Sequence, residues 1–384
     1  MADAHADHAP LAPPPRMSIR ERFAAWRNRL LANPSFQAFA ARAPVFRTIA
    51  NARARDLFVM ATAYVQSQTL IACVRTGLFG ALADGPLDVP AIARATGLPL
   101  VGADRLARAA EALKLLERFD DRYGLGELGA SVLGNPGVAE IITHHAILYR
   151  DLADPVAMLR APRGSGELGA YWAYAGAAAP EASGAEAVAP YSGLMAATQA
   201  WVARHVLDAW PMARHRAILD VGGGEGAFLA AAGAEAPHLA LHLFDLPAVT
   251  ARARDRLTAA GLIDRTTLHP GSFRSDPLPQ GCDLISFVRV LHDHDDNVVR
   301  QLLAKARAAI APGGVVLIAE PMAAEPGAEA IGEAYFGFYL HAMGSGRPRT
   351  PDAYAALLAG AGFTRITRKA TAAPVLVRVV AARA

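Results

Sequence analysis

The carboxyl-terminal half of the chain alternates between two patterns of apolar positions. Apolar runs of strand length occur at 217–221, 241–245, 266–269, 284–288 and 315–319. The segments between them have the three- and four-residue spacing of amphipathic helices. Strands that alternate with helices in this way form a parallel sheet covered by helices. We therefore predict an α/β domain over residues 211–384.

The segment before this domain has a helical pattern. Helices are predicted at 89–95 and 101–116, separated by a Gly-Leu-Pro turn at 97–99. A hairpin follows, with strands at 116–119 and 122–125. A helix, a turn, a second helix and a small hairpin are typical of a winged-helix unit.

A winged-helix unit can bind DNA or form a dimer. The second predicted helix and the start of the hairpin, residues 104–118, carry four positive and three negative charges. A helix that reads a DNA groove is expected to be more basic than this. We therefore predict that residues 16–137 form a helical arm and a dimerisation domain, with no nucleic acid as partner. A DNA-binding regulator that senses its cofactor is the alternative from another functional class.

The arm itself, residues 16–55, has an uneven charge. It carries nine arginines and a single acid, Glu21. An amphipathic helix is predicted from the spacing of Ile19, Phe23, Trp26 and Leu30. Two interpretations stay open: the helix packs on a partner subunit, or it makes peripheral contact with an anionic membrane.

Composition limits the class of protein. A chain of 384 residues with 53% hydrophobic and 19% charged residues is expected to form more than one globular domain. Residues 1–15 lack the apolar core of a signal peptide and are expected to be a disordered tail. We expect no membrane span, because a span requires roughly 18 uncharged apolar residues in a row and the apolar runs are expected to be shorter. The two cysteines, Cys73 and Cys282, are too few for a disulfide framework and indicate a cytoplasmic protein.

A linking region, residues 138–210, is expected to contribute to a substrate pocket. A helix predicted over 139–159 carries His144 and His145. Neighbouring helical positions point about 100° apart, so adjacent histidines are poorly placed to share a metal ion. One of them is therefore expected to pack and the other to face solvent or a pocket.

A glycine-rich turn follows the first predicted strand of the α/β domain. The segment 219–226 reads Leu-Asp-Val-Gly-Gly-Gly-Glu-Gly and includes Asp220, Gly222 and Gly224. Glycine at such positions allows a ligand to lie against the backbone, and the N–H groups of the next helix favour polar or anionic groups. The turn is therefore a candidate nucleotide-binding loop.

The next predicted strand ends in Asp245, roughly 20 residues beyond the loop, where a carboxylate can accept both hydroxyls of a ribose. This spacing fits NAD and S-adenosylmethionine. The run of glycines at 222–226, which replaces the GxGxxG pattern, favours S-adenosylmethionine, because this ligand has a methionine tail and no pyrophosphate.

A general base is predicted directly after the fourth strand. His292 lies in Leu291-His292-Asp293-His294-Asp295, at the sheet edge where open α/β sheets bind ligands. Methyl transfer to an oxygen requires in-line attack and removal of the proton, which an imidazole can accept. His294 and the neighbouring acids are alternatively interpreted as helix-capping residues. Alternating residues in a turn seldom supply three convergent ligands, so no metal site is predicted.

These motifs resemble the S-adenosylmethionine-dependent O-methyltransferases of the plant caffeate and animal acetylserotonin type. The resemblance extends from Asp56 onward and implies a Rossmann-like seven-stranded sheet, an amino-terminal helical dimerisation domain and a homodimer. It also implies roles for individual residues. The implied catalytic pair is His292 and Glu320, and the implied cofactor contacts are Asp220, Gly222, Gly224, Asp245, Leu246, Gly271, Ser272, Phe273 and Arg289.

The sequence departs from the family pattern at three positions. Many relatives carry a second acid before Arg-Thr, where this chain has Pro348. Ser272 replaces an Asp, and His294 replaces a Trp. The first change puts a two-carboxylate clamp on the base in doubt, and the last implies a different pocket shape.

Within this family, three segments resemble the bacterial hydroxycarotenoid O-methyltransferases: 31–37, 144–155 and 344–350. This resemblance implies methylation of the tertiary hydroxyl of a hydroxyneurosporene- or demethylspheroidene-like carotenoid. A phenolic polyketide or another aromatic secondary metabolite is the alternative substrate. The candidate pocket-lining residues are His145, Tyr191, Met195, Phe338, Tyr339 and Met343, of which Phe338 and Tyr339 are equally well explained as helix core.

Overall fold

The computed structural model of the protein describes residues 17–172, 198–324, 326 and 329–384. By its internal contacts the chain divides into two units, and the boundary along the sequence lies between residues 69 and 70. The predicted substrate residues Tyr191 and Met195 lie outside the described residues.

The first unit consists of helices. They are α1 (Ile19–Ala32), α2 (Pro34–Arg42) and the larger part of α3 (Pro44–Arg75). Helix α1 begins with a capping box, in which Ser18 and Glu21 satisfy each other's backbone N–H groups. Asn33 ends α1 and caps α2 through the N–H groups of Ser35 and Phe36. The predicted arm helix is therefore present, and none of its side chains is buried.

Helix α3 corrects one expectation from the sequence. Residues 57–74 form an uncharged run of the length that a membrane span requires. An 18-residue window of α3 has a mean hydropathy of 1.5, and 17% of it is buried. Ile71 and Cys73, near its end, are buried in the protein core. Length and composition thus make α3 a candidate span, although its last turn packs against protein.

The second unit begins with the predicted winged-helix elements. They are α4 (Leu78–Ala81), β1 (Leu87–Asp88), α5 (Val89–Thr96), α6 (Leu100–Ala112), β2 (Leu116–Phe119), β3 (Arg122–Leu125) and α7 (Glu127–Leu133). The hairpin is present as predicted, and β1 adds a third strand in the order β1-β3-β2. The prediction of a helix to residue 116 is wrong, since α6 ends at Ala112. Lys114 has a φ of 58°, which a right-handed helix cannot contain.

The linking region forms several short helices. They are α8 (Pro136–Asp151), α9 (Pro155–Arg160), α10 (Glu167–Tyr171) and α11 (198–209). The single helix predicted over 139–159 is therefore wrong. Pro155 disfavours a helical conformation in the residue before it, so α8 ends at Asp151 and Asp154 caps a new helix.

The rest of the second unit is an α/β sheet with its helices. The elements are β4 (Ala217–Val221), α12 (Ala227–Glu235), β5 (Ala240–Asp245), α13 (Pro247–Ala259), β6 (Thr266–Pro270), β7 (Leu284–Val288), α14 (Asp296–Ala309), β8 (Val315–Glu320), a π-helix (Ala330–Tyr335), α15 (Phe336–Met343), α16 (Pro351–Gly360), β9 (Thr364–Lys369) and β10 (Arg378–Arg383). All five strands predicted from apolar runs are present, in a seven-stranded sheet of order β6-β5-β4-β7-β8-β10-β9.

The sheet is buried on both faces. Alternate residues of β8 belong to different apolar clusters: Leu317 packs on one face, and Val316 and Ile318 pack on the other. Strands buried on both faces read as continuous apolar runs, which is why the sequence reveals them. The prediction of a fully parallel sheet is corrected, because β10 pairs antiparallel with β8 and β9.

The strand order fixes where a ligand can bind. The chain runs from β4 to β6 in one direction across the sheet and from β7 to β10 in the other. Open α/β sheets bind ligands beyond the carboxyl ends of the strands at such a reversal. The loops after β4, β5 and β7 meet at this edge.

Candidate active site

The loop after β4 has the conformation that the glycine pattern predicts. Gly222, Gly224 and Gly226 have φ values of 69°, 58° and 77°, which favour glycine. A Cβ at Gly222 would lie 2.9 Å from Val290, whereas a Cβ at Gly224 would meet nothing within 4 Å. Space for a ligand is therefore open at Gly224. At Gly222 packing within the protein also excludes a side chain, which refines the sequence argument.

Two carboxylates, the buried Asp220 and the half-buried Asp245, lie beside this loop. Asp245, at the end of β5, accepts hydrogen bonds from the N–H groups of Gly224 and Leu246 at 2.8 and 2.7 Å. Asp220 accepts one from the Ser286 hydroxyl at 2.7 Å, and its Oδ2 has no partner among the described residues. Burial raises the pKa of Asp220 to about 7 and that of Asp245 to about 6.

These carboxylates fit S-adenosylmethionine. The ligand has ribose hydroxyls that donate hydrogen bonds and a positively charged sulfonium. Within the described ranges these acceptors have no cationic partner, and one of them is an unsatisfied buried oxygen, which matches both features. Asp220, Asp245 and the backbone at Gly224 would hold this group.

The loop with the implied cofactor contacts Gly271, Ser272 and Phe273 follows β6. The Gly271 N–H donates to the Asp245 carbonyl at 2.9 Å, so the loops after β5 and β6 are joined. Ser272 is buried, and its N–H donates to Asp276 at 2.8 Å. Lys305 donates to three carbonyls of this loop, those of residues 273, 274 and 276, at 2.8 to 3.0 Å. Neither Asp276 nor Lys305 was indicated by a sequence motif.

His294, which replaces the tryptophan of many relatives, packs beside this loop. Its ring meets the Phe273 ring edge-on, with centroids 5.2 Å apart. Burial lowers its pKa to about 3, so the imidazole is neutral at physiological pH. The helix after it is capped by Asp295 without a side-chain hydrogen bond, so His294 is not a helix cap.

His292 and Glu320 lie together, as the family resemblance implies. The His292 Nδ1 is 2.5 Å from Oε2 of Glu320, which is fully buried at the end of β8. The other oxygen of Glu320 accepts the N–H groups of Val290 and Leu291 at 2.9 and 2.7 Å. This carboxylate therefore fixes both the imidazole and the backbone that carries it.

A second carboxylate lies on the opposite side of the imidazole. Oδ1 of Asp293 is 3.1 Å from the His292 Nε2. The loss of an acid at Pro348 therefore does not leave the base with a single carboxylate, because the adjacent residue supplies another. This arrangement was missed, since two neighbours in sequence usually point apart and only the tight turn at 291–293 brings them together.

The two carboxylates determine the charge of the imidazole. Burial lowers the pKa of His292, but the negative charges of Asp293 and Glu320 outweigh burial, and the pKa is raised above its ordinary value. Burial also raises the pKa of Asp293 to about 6. A buried imidazole beside two carboxylates can accept a proton and stabilise it.

Arg289 lies near this base. It directly follows β7 with a φ of 59°, and its N–H donates to the Ala319 carbonyl at 2.9 Å. Its guanidinium donates to Thr198 at 2.7 Å, so it connects the sheet edge to α11. The positive charge opposes protonation of His292. Its contact with the cofactor stays a prediction.

The helices beside the sheet edge carry paired histidines and tyrosines. His144 is 2.8 Å from the Tyr339 hydroxyl, which also accepts from the Trp172 indole at 3.1 Å. His145 is 2.7 Å from the hydroxyl of Tyr335, a residue that sequence reasoning missed. No group of three or more His, Cys, Asp or Glu side chains that could hold a metal ion occurs in the described part of the chain.

The predicted substrate residues of α15 are mostly buried. Tyr339 and Met343 are 8% and 5% exposed and pack against Leu148, Leu168 and Trp172. The sequence left open whether Tyr339 is helix core, and its burial favours that interpretation. A contact of either residue with substrate stays a prediction, as it does for His145.

Comparison with known proteins identifies the two regions. Residues 149–364 match the family model of the O-methyltransferase domain, and residues 58–135 match that of the O-methyltransferase dimerisation domain. The second match assigns the winged-helix unit to dimerisation.

Individual relatives agree. The chain is 43% identical over 339 residues to a demethylspheroidene O-methyltransferase of Cereibacter sphaeroides, which covers 88% of this chain and 89% of the relative. It is 40% identical to the protein of that name from Rhodobacter capsulatus, with 89% and 85% coverage. Human N-acetylserotonin methyltransferase, solved in complex with S-adenosylmethionine, superimposes with a TM-score of 0.70 at 27% identity and covers 86% of this chain and 97% of its own. The chain therefore belongs to the O-methyltransferase family.

Proposed function

We propose that this protein transfers a methyl group from S-adenosylmethionine to the tertiary hydroxyl of a hydroxylated acyclic carotenoid. The observation that carries the proposal is the buried imidazole of His292, held between Glu320 and Asp293, two residues after Val290, which packs against the loop at Gly222. The names of the two demethylspheroidene O-methyltransferases support the substrate class. The dimerisation domain supports a homodimer that acts on a small molecule.

Each part of the site has a role in this reaction. When bound, S-adenosylmethionine supplies a methyl group made electrophilic by the sulfonium. Neutral His292, whose Nδ1 Glu320 holds, accepts the proton of the substrate hydroxyl at Nε2, where the substrate oxygen takes the place of the Asp293 carboxylate. A tertiary alcohol is a much weaker acid than an imidazolium of pKa about 6.5, so proton removal is concerted with attack by the oxygen. Glu320 and Asp293 then stabilise the imidazolium that forms.

Product analysis tests the substrate. The purified protein is supplied with S-adenosylmethionine and either a hydroxylated acyclic carotenoid or a phenol. The masses of the extracted products are then measured by mass spectrometry. We expect the mass of one added methyl group on the carotenoid. Methylation of the phenol alone would favour the aromatic alternative and overturn the carotenoid proposal.

His292→Ala tests the base. We expect this variant to bind S-adenosylhomocysteine as tightly as the wild type in calorimetry and to lose at least about 100-fold in kcat, the range of general-base catalysis. Normal turnover by a variant that binds normally would remove His292 from the mechanism.

We also propose that the protein acts on the cytoplasmic surface of a membrane, which it contacts through residues 16–55. The geometry of α1 supports this contact. With 3.6 residues per turn, Ile19, Phe23, Trp26 and Leu30 lie within about 60° of arc. Arg20 and Arg27 lie about 70–90° to one side of this stripe, and Arg22 and Arg29 lie equally far to the other side.

This arrangement suits a lipid interface. Phe23 and Trp26 are 59% and 54% exposed, with ring centroids 5.6 Å apart. Arginines on both flanks of an apolar stripe can reach phosphates while the stripe enters the acyl boundary. The acid of α1, Glu21, is used in the helix cap. A carotenoid dissolves in the bilayer, so an enzyme bound there meets its substrate. The free, buried thiols of Cys73 and Cys282 support a reducing compartment.

Vesicle flotation tests the membrane contact. Replacing Arg20, Arg22, Arg27 and Arg29 by Gln should weaken binding to phosphatidylglycerol-containing vesicles by about 100-fold or more, at about 1 kcal/mol per arginine. The matched control removes the same number of charges outside α1, at Arg42, Arg47, Arg53 and Arg55, and should bind more tightly than the α1 variant. Equal losses would contradict a role for α1. If the wild type did not bind the vesicles and the α1 variant no longer formed a dimer, packing of α1 on a partner subunit would be favoured.

A further inference from the structure

The turn that carries His292, residues 291–294, is bound along its whole length by a second segment, residues 345–349. Four consecutive carbonyls of the turn accept hydrogen bonds from it. Those of Leu291 and His294 accept from the Arg349 guanidinium at 2.8 and 2.7 Å. The His292 carbonyl accepts the Arg347 N–H at 3.1 Å, and the Asp293 carbonyl accepts the Ser345 hydroxyl at 2.7 Å.

The two segments also approach closely. Gly346 has a φ of 81°, and a Cβ there would overlap the carbonyl of His292. Its N–H donates to Asp295 at 3.1 Å, and its carbonyl accepts from Arg163 at 2.6 Å. Only glycine permits this conformation and this distance at once.

Arg349 is the central donor of this arrangement. It is 1% exposed, the largest side chain among the fully buried residues described. Its Nε and one terminal nitrogen bond Oδ1 of Asp296 at 3.0 and 2.7 Å, which compensates its buried charge. The planar guanidinium fork therefore bonds three acceptors of the turn and of the helix that follows. A lysine ammonium lacks this fork.

Glu320 and this segment hold the turn from two sides. Glu320 accepts the N–H groups of residues 290 and 291, and residues 345–349 donate to the carbonyls of residues 291–294. A single turn of 3-10 helix, in which the N–H groups of Asp293 and His294 make internal bonds of 3.3 Å, is thereby fixed by further bonds at both its donors and its acceptors.

We propose that Arg349 is a positioning residue for catalysis, which holds the turn so that the imidazole of His292 stays between Glu320 and Asp293. This inference rests on the proposed function of His292. It also gives the segment around Pro348 a role without an acid there: the segment supports the base through its backbone and through Arg349.

Steady-state kinetics of Arg349→Lys and Arg349→Met test the proposal. A displacement of about 1 Å can cost about 100-fold in rate, so we expect kcat to fall by about that factor. Binding of S-adenosylhomocysteine and the KM for the carotenoid should stay within about threefold, because the loops at Gly224 and Asp245 are untouched. The pH at which kcat/KM rises should move toward the ordinary value for histidine, since the carboxylates no longer hold the imidazole.

Arg300→Gln is the matched control. Arg300 carries the same charge and lies 3.7 Å from the same acid, Asp296, but its side chain is exposed and it lies outside residues 345–349. We expect wild-type kcat from this variant. Ser345→Ala, which removes one donor, keeps the test usable if the Arg349 variants unfold, and should lower kcat less than Arg349→Lys, without a change in KM.

The outcomes separate this inference from the proposed function. A folded Arg349→Lys protein with wild-type kcat, or with an unchanged pH profile, would overturn the inference while His292→Ala still abolished turnover. A fall in kcat together with a raised KM and weaker ligand binding would mean a merely structural role for Arg349. That result would also overturn the inference. Full activity of His292→Ala would instead reject the proposed function.

Discussion

Replacing Glu320 by Gln perturbs the base at constant side-chain volume. Oε1 of Glu320 accepts two backbone N–H groups, those of Val290 and Leu291. A glutamine must keep its carbonyl oxygen toward these donors, so its NH₂ group faces Nδ1 of His292. The neutral imidazole then accepts at Nδ1 and carries its proton on Nε2. In that tautomer Nε2 cannot accept the proton of the substrate.

The magnitude follows from this tautomer and from the lost charge. A histidine base held in the wrong tautomer by an acid-to-amide change loses about 10⁴-fold in kcat in serine proteases, and we expect a loss of about 10³ to 10⁴-fold here. The carboxylate of Glu320 helps to raise the pKa of His292, so its removal lowers that pKa. An adjacent opposite charge shifts a pKa by about 1–3 units, each worth about 1.4 kcal/mol.

The sign of the pH effect follows directly. A general base acts when it is deprotonated, so kcat/KM of the wild type rises with pH through a value above the ordinary histidine pKa. In Glu320→Gln the residual activity should rise at lower pH. The assay is methyl transfer to the carotenoid as a function of pH, with calorimetric binding of S-adenosylhomocysteine as the check on folding. Glu333→Gln, an exposed acid on the π-helix, is the matched control and should leave both unchanged.

One result would refute this reasoning. If Glu320→Gln bound the ligand normally and kept wild-type kcat with an unmoved pH profile, Glu320 would not orient the base. If Glu320→Gln lost both ligand binding and activity, the carboxylate would support the fold at this edge of the sheet and would not act on the imidazole.

Three further predictions concern the rest of the site. Asp245→Ala should weaken S-adenosylhomocysteine binding by about 100-fold in calorimetry, at about 1.5 kcal/mol or more for each hydrogen bond to the carboxylate. Binding by the wild type should weaken below a pH of about 6, where Asp245 becomes protonated. Binding that did not depend on pH would contradict the role of Asp245. Lys305→Met removes the donor to three carbonyls of the loop after β6, so ligand affinity should fall with kcat at saturation unchanged, and an unchanged Kd would separate that loop from the cofactor. Tyr339→Phe removes the hydroxyl that bonds the Trp172 indole N–H and His144, so chemical denaturation should report a loss of about 1–3 kcal/mol in unfolding free energy. An unchanged stability would contradict a stabilising role for this hydroxyl.

Several features could be read from the sequence because local physics decides them. The strands of the sheet are buried on both faces, so each is a continuous apolar run. The glycines at 222–226 stand where the backbone turns with positive φ. The order of these elements places Asp245 and His292 at one edge, since all parallel strands end there. The limits of α6 and of the helix over 139–159 were predicted less well, because a single residue such as Lys114 or Pro155 ends a helix within an unchanged apolar pattern.

The sequence by itself thus determined the fold class, the family, the glycine loop and the identity of the candidate base. Only the tertiary structure decided that Asp293 faces the same imidazole as Glu320, and that Arg349 bonds the turn more than fifty residues before it. Hydrogen bonds depend on the direction and distance of individual atoms, and a change of a few ångströms makes or breaks them. Apolar spacing records which face of an element is buried, but it contains no information about which distant polar atoms meet there.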